Sequence, residues 1–122
     1  MSNLIRMFAI AGVIAVGLTG QAFAHAHLKS ATPAVGSTVT TAPSELDLTF
    51  TEGVNLKFTG VKVTGPNKAA VQTGDATLMD GDVTLMVPIS GALGRGLYTV
   101  AWHALSTDGH KTNGTYTFTV KP

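Results

Sequence analysis

Beyond Leu18 the apolar residues of this chain recur at every second position, and no stretch places them at i, i+3, i+4 and i+7. A period of two lines one face of an extended strand, whereas an amphipathic helix needs the longer spacing. Glu45-Leu46-Asp47-Leu48-Thr49-Phe50 and Val83-Thr84-Leu85-Met86-Val87 alternate cleanly. Leu97 to Leu105 and Thr115 to Val120 are rich in the aromatic, Thr and Val residues that suit a pleated surface. Turn-forming residues separate these runs, at Pro33, Gly36, Pro43, Gly53, Gly65-Pro66-Asn67, Gly74-Asp75, Asp80-Gly81-Asp82, Gly91 and Gly94. About seven short strands with such punctuation predict an all-β sandwich of immunoglobulin-like type.

Within it, Tyr98, Val100 and Trp102 share one face of a strand, and Tyr116, Phe118 and Val120 share one face of the next. These two stripes are the predicted core, since burying such side chains is worth about 1.5 to 3 kcal/mol each. Thr99, Ala101 and His103 turn to the opposite face, which makes His103 an exposed histidine rather than a ligand. There is no cysteine among the 122 residues. The fold therefore rests on packing without disulfides, and a bound metal has to be held by nitrogen, oxygen or thioether.

The first residues have a different pattern. Arg6 precedes an unbroken run of apolar and small residues from Met7 to Leu18, followed by Thr19-Gly20-Gln21 and the small-x-small tripeptide Ala22-Phe23-Ala24. A membrane anchor needs about 20 predominantly apolar residues, more than this run offers, and the order of the parts is that of a cleaved secretory signal. Residues 1–24 are expected to be the signal and residues 25–122 one exported domain, with cleavage making His25 the N-terminal residue. Its free α-amine and its imidazole then belong to a single residue. Eight basic and seven acidic side chains give a formal net charge of +1. That balance suggests neither a nucleic-acid surface nor an anionic-membrane patch.

Between the two core strands lies Ser106-Thr107-Asp108-Gly109-His110-Lys111-Thr112-Asn113-Gly114. In locally extended geometry Asp108 and His110 project to the same side, one carboxylate and one imidazole. Taken alone, this is an Asp-Gly turn with an exposed histidine. Joined to the amine and Nδ1 of His25, it completes a set of three nitrogens and one oxygen. Tetragonal nitrogen and oxygen ligation suits Cu(II), whereas a structural zinc site is closed tetrahedrally and usually draws on Cys or several His. His27 offers a variant. A free amine with histidine at the third position can chelate Cu(II) through two deprotonated amides, but a strand starting at His27 would commit those amides to its ladder. His27 lies on the same face as His25 and is a possible additional ligand.

His25-Ala26-His27-Leu28, Ser30-Ala31-Thr32-Pro33-Ala34, Leu48-Thr49-Phe50, Gly96-Leu97-Tyr98-Thr99-Val100-Ala101-Trp102, Ser106-Thr107-Asp108-Gly109-His110 and Asn113-Gly114 occur in the order of a known pattern. Over residues 25–122 the chain resembles the periplasmic copper-binding CopC proteins. The resemblance implies a seven-stranded Greek-key sandwich that holds one Cu(II) ion per chain in the periplasm, through His25, Asp108 and His110. It further implies service in copper tolerance or uptake, with an inner-membrane copper transporter of the CopD type as partner. Some members add a Cu(I) site in a methionine-rich loop. Here Met79 and Met86 are the sole methionines after residue 24, so the chain resembles the branch with the Cu(II) site alone.

An N-terminal histidine on a β-sandwich also suits copper oxygenases that use it as a brace, which makes an enzyme the rival reading. Such enzymes need redox cycling and a flat substrate-binding face. An anionic Asp108 ligand favours Cu(II), and after residue 24 Phe58 is the one aromatic residue outside the strands assigned to the core. The sequence therefore favours a monomeric copper carrier that is not an enzyme. A metal-free adhesive module would leave Asp108 and His110 idle.

Overall fold

The computed structural model describes residues 26–122. The expected signal segment and His25 lie outside the described residues. Among the described residues nine strands form two sheets. β1 (Leu28–Thr32), β3 (Glu45–Phe50), β7 (Thr84–Pro88) and β6 (Thr77–Met79) make the first sheet in that spatial order. β2 (Thr38–Val39), β9 (Lys111–Val120), β8 (Gly96–Leu105), β4 (Gly60–Thr64) and β5 (Ala70–Val71) make the second. Strands adjacent in space are often distant in sequence, as with β3 beside β7 and β8 beside β4. That crossed connectivity is the one expected of a Greek-key sandwich. The pairs are antiparallel except β2 with β9.

The two predicted stripes are the heart of the core. Tyr98, Val100, Trp102, Tyr116, Phe118 and Val120 are all buried, and the long β8–β9 ladder sets Tyr98 opposite Phe118 and Val100 opposite Tyr116. Leu46, Leu48 and Phe50 of β3 and Leu85 and Val87 of β7 meet them from the other sheet. Phe50 sits edge-on to Trp102 with ring centroids 5.4 Å apart. Tyr98 stacks on Phe118 at the same separation. Thr84 is buried as well, against the alternation, because its hydroxyl is hydrogen-bonded to that of Thr49 at 3.0 Å.

Two differences from the sequence-based expectation have simple causes. There are nine strands rather than about seven because β2 and β5 are two-residue edge pairs, too short to show any alternation. β9 begins at Lys111, four residues before the apolar run at Thr115. Along that extension Gly114 faces Trp102, and a Cβ there would lie 2.7 Å from the indole Cζ2. The position needs a residue without a side chain, so the apolar pattern breaks where the ladder does not. Among the described residues no helix is long and apolar enough to cross a membrane.

Candidate metal centre

β8 and β9 are joined by a turn over residues 106–110 whose closure is explicit. The Ser106 amide donates to the His110 carbonyl at 2.9 Å, and the Gly109 amide donates to the Ser106 carbonyl at 2.9 Å. Gly109 has φ +93°, a left-handed value that side chains rarely adopt. The expected extended geometry of Asp108 and His110 is therefore replaced by a tight turn, and the two side chains still meet. His110 Nδ1 lies 3.1 Å from Asp108 Oδ1, with the imidazole side chain 55% and the carboxylate side chain 50% exposed.

Ser106 organises this pair from below. It is 1% exposed. Its hydroxyl donates to Asp108 Oδ1 and accepts the His110 amide proton at 3.1 Å. The Ser106 hydroxyl and then the His110 contact hold the Asp108 carboxyl down at about 2, below the ordinary carboxylate range. Asp108 is thus an anionic oxygen donor at any physiological pH. An imidazole that gives its Nδ1 proton to this carboxylate carries its lone pair on Nε2, the atom through which such a ring ligates a metal.

The start of the described chain is pinned at the same end of the sandwich. Ala26 is buried, and its carbonyl accepts the Thr112 hydroxyl at 2.7 Å, two residues beyond His110. His27 donates its amide to Thr51 Oγ1 at 3.0 Å and accepts the Thr51 amide at 2.9 Å. A chelate through the deprotonated His27 amide would have to break the first of these bonds. His25 directly precedes Ala26 and lies outside the described residues.

Other donors are placed elsewhere. His103 is exposed on the outer face of the second sheet, opposite Asn113. Met86 of β7 pairs with Thr77, and Met79 of β6 with Thr84. The two thioethers therefore sit diagonally on neighbouring strands. The Tyr116 hydroxyl is driven well above the ordinary phenol range, first by burial and then by the Asp47 carboxylate, so it offers no phenolate. Among the described residues no group of three or more His, Cys, Asp and Glu side chains is arranged to hold a metal.

Two supporting residues were not singled out from the sequence. Ser106 was readable as a hydroxyl two positions before Asp108, a spacing at which Ser bonds its own turn. Thr112 had no local signal, since its partner is 86 residues away.

A CopC domain matches residues 28–121. Protein YobA of Escherichia coli (strain K12) is 46% identical over 105 residues, spanning 85% of each chain. Copper resistance protein C of Escherichia coli is 35% identical over 126 residues, covering 98% of this chain and 99% of that protein. The crystal structure of PcoC, a methionine-rich copper resistance protein from Escherichia coli, superposes with a TM-score of 0.71 at 35% identity, covering 80% of this chain and 100% of PcoC. A match to the family domain over nearly all of the described residues, on a sandwich whose exposed carboxylate and imidazole are presented at one end, identifies the chain as a member of the CopC family.

Proposed function

We propose that this chain is a copper-binding protein of copper tolerance or uptake that holds one Cu(II) ion through the amine and imidazole of His25, the carboxylate of Asp108 and the imidazole of His110. In this reading a signal is removed behind Ala24, and the domain works in the periplasm as a monomer. It buffers the ion or passes it to an inner-membrane transporter of the CopD type and performs no catalysis.

The observation that carries the reading is the hydrogen bond from Thr112 to the Ala26 carbonyl. It ties the residue next to His25 to the strand that begins one residue after His110. Relatives named copper resistance protein C, in Escherichia coli and in Pseudomonas syringae pv. tomato, support copper as the metal. The donors are nitrogen and ionised oxygen, which suit Cu(II), whereas the two thioethers among the described residues, of the kind suited to Cu(I), stand on other strands.

A change of chain length at His25 tests the amine directly. Adding one glycine ahead of His25 converts the amine to an amide, which must itself lose a proton before it can coordinate. The chains beginning at His25 and at Gly-His25 are titrated with Cu(II) against a competing chelator, following the emission of Trp102, the one tryptophan. The extension is expected to weaken binding by at least about 100-fold, close to 3 kcal/mol, with the fold unchanged. Equal affinities would remove the amine from the ligand set.

A further inference from the structure

Two residues that the copper site does not use, His103 and Phe58, are brought together beside it. The Leu56–Phe58 turn is tied to the end of β8 by the Asn55 amide, which donates to the Leu105 carbonyl at 2.8 Å. A groove of about 370 Å³ opens there, lined among others by Lys57, Phe58, His103, Leu105, Lys111 and Asn113. Phe58 is 52% exposed and neighbouring Leu56 41%. The Lys57 ammonium stands 5.7 Å from the Phe58 ring centroid. The imidazole of His103 lies against Gly60, where a Cβ would come within 3.2 Å of its Cε1.

The lining contains no carboxylate, and its ionisable groups are two lysines and a histidine. The other large exposed apolar residues, Val35, Met79 and Leu97, lie on other segments. Leu97 pairs with Thr119 near the far end of the β8–β9 ladder. Lys111, on the groove wall, directly follows His110. Any protein that gives copper to Asp108 and His110, or takes it from them, must bring its own ligand within bonding distance of that pair. Its surface then covers what borders the pair.

We propose that this groove is the docking surface for the copper-exchanging partner, which inserts an apolar side chain flanked by carboxylates. The identity of the exchange rests on the copper reading above; the groove itself does not. The apolar side chain packs on Phe58 and Leu105, and the carboxylates meet Lys57, Lys111 and His103. Complementary charge of this kind orients the encounter and rejects basic surfaces.

The test uses the ¹⁵N-labelled protein and the blocked peptide acetyl-Gly-Glu-Phe-Glu-Gly-amide as probe. Amide shifts are expected to cluster at Lys57, Phe58, His103, Lys111 and Asn113 and to diminish as salt is raised, because exposed charges are screened. Replacing both peptide glutamates by lysine should abolish them. Phe58→Ser and the double change Lys57→Gln with Lys111→Gln should each weaken peptide binding about tenfold or more. Phe58→Ser should keep the wild-type Cu(II) affinity. Equal binding of the lysine peptide, or shifts centred elsewhere, overturns the proposal. So do the same shifts produced without peptide, by phosphatidylglycerol vesicles or by raising the protein concentration, which would assign the face to a membrane or to a second copy. Failure of the wild-type protein to bind Cu(II) would remove the copper reading while leaving the peptide result to stand on its own.

Discussion

β8 and β9 are one hairpin built by two rules. In its lower part Tyr98, Val100, Trp102, Tyr116, Phe118 and Val120 are held by packing. In its upper part Ser106, Asp108, His110 and Thr112 are held by hydrogen bonds. Packing is non-directional and tolerates no lost volume; the polar tip is directional and loses little volume when a side chain is shortened. The lower part should therefore control whether the protein folds, and the tip what it binds.

The firmest way to break that division is to remove the tip's own donors. Asp108→Ala combined with His110→Ala is expected to lower Cu(II) affinity by about 1,000-fold or more, roughly 4 kcal/mol, with the protein still folded and its urea midpoint only slightly lowered, by the loss of exposed contacts alone. If affinity persists, the N-terminal amide chelate through His27 is the true site. The complementary change is Phe118→Ala, expected to cost about 3 to 5 kcal/mol in urea unfolding. At temperatures where that variant is still folded, its copper affinity should match the wild type.

A gentler probe acts on the supports. Ser106→Ala leaves both Asp108 and His110 in place but removes the hydroxyl that orients them, and Thr112→Val removes the hydrogen bond to Ala26. Each should weaken Cu(II) binding by about 10- to 100-fold, the usual effect of losing a partner that orients a ligand. Thr112→Ser, which keeps the hydroxyl, should restore most of it. Recovery by Thr112→Ser separates positioning from loss of bulk.

The smallest effect expected is an absence of slope. Asp108 is depressed to about 2 by Ser106 and His110, so its contribution to folding is present above about pH 4 and is lost as pH falls through about 2. Between pH 5 and 8 it neither gains nor loses a proton. The carboxyl ¹³C resonance of Asp108 in the metal-free protein should thus show no carboxyl-sized titration step across that range. A full-sized step between pH 5 and 8 would show that Asp108 titrates where the tip geometry says it is already ionised.

Much of the lower hairpin was legible because burial repeats: Tyr98, Val100 and Trp102 announce their face through spacing alone. The tip was legible in residue type but not in shape. Asp108 and His110 stand two apart, yet their meeting depends on the left-handed Gly109 and on Ser106, neither of which carries a periodic signal. The early start of β9 was hidden because Gly114 answers to the Trp102 ring across the ladder rather than to its own neighbours. The same holds for the groove: Phe58 and His103 read separately as an odd aromatic and an idle histidine, and the fold sets both in the lining of one groove.

The Thr112 to Ala26 hydrogen bond spans 86 residues, and that span bears on folding as well as on position. Donors on both sides of it would make a bound ion a clasp between the first and last strands, closing nearly the whole chain into a loop. The unfolded chain cannot hold His25, Asp108 and His110 together without a large loss of conformational freedom, so the ion would favour the folded state. Free copper at about 100 times its dissociation constant would then add about 2.7 kcal/mol to the unfolding free energy. In a domain with no disulfide, the cargo would serve as the cross-link, and the protein would be most durable while loaded and most easily cleared once it has given its copper away.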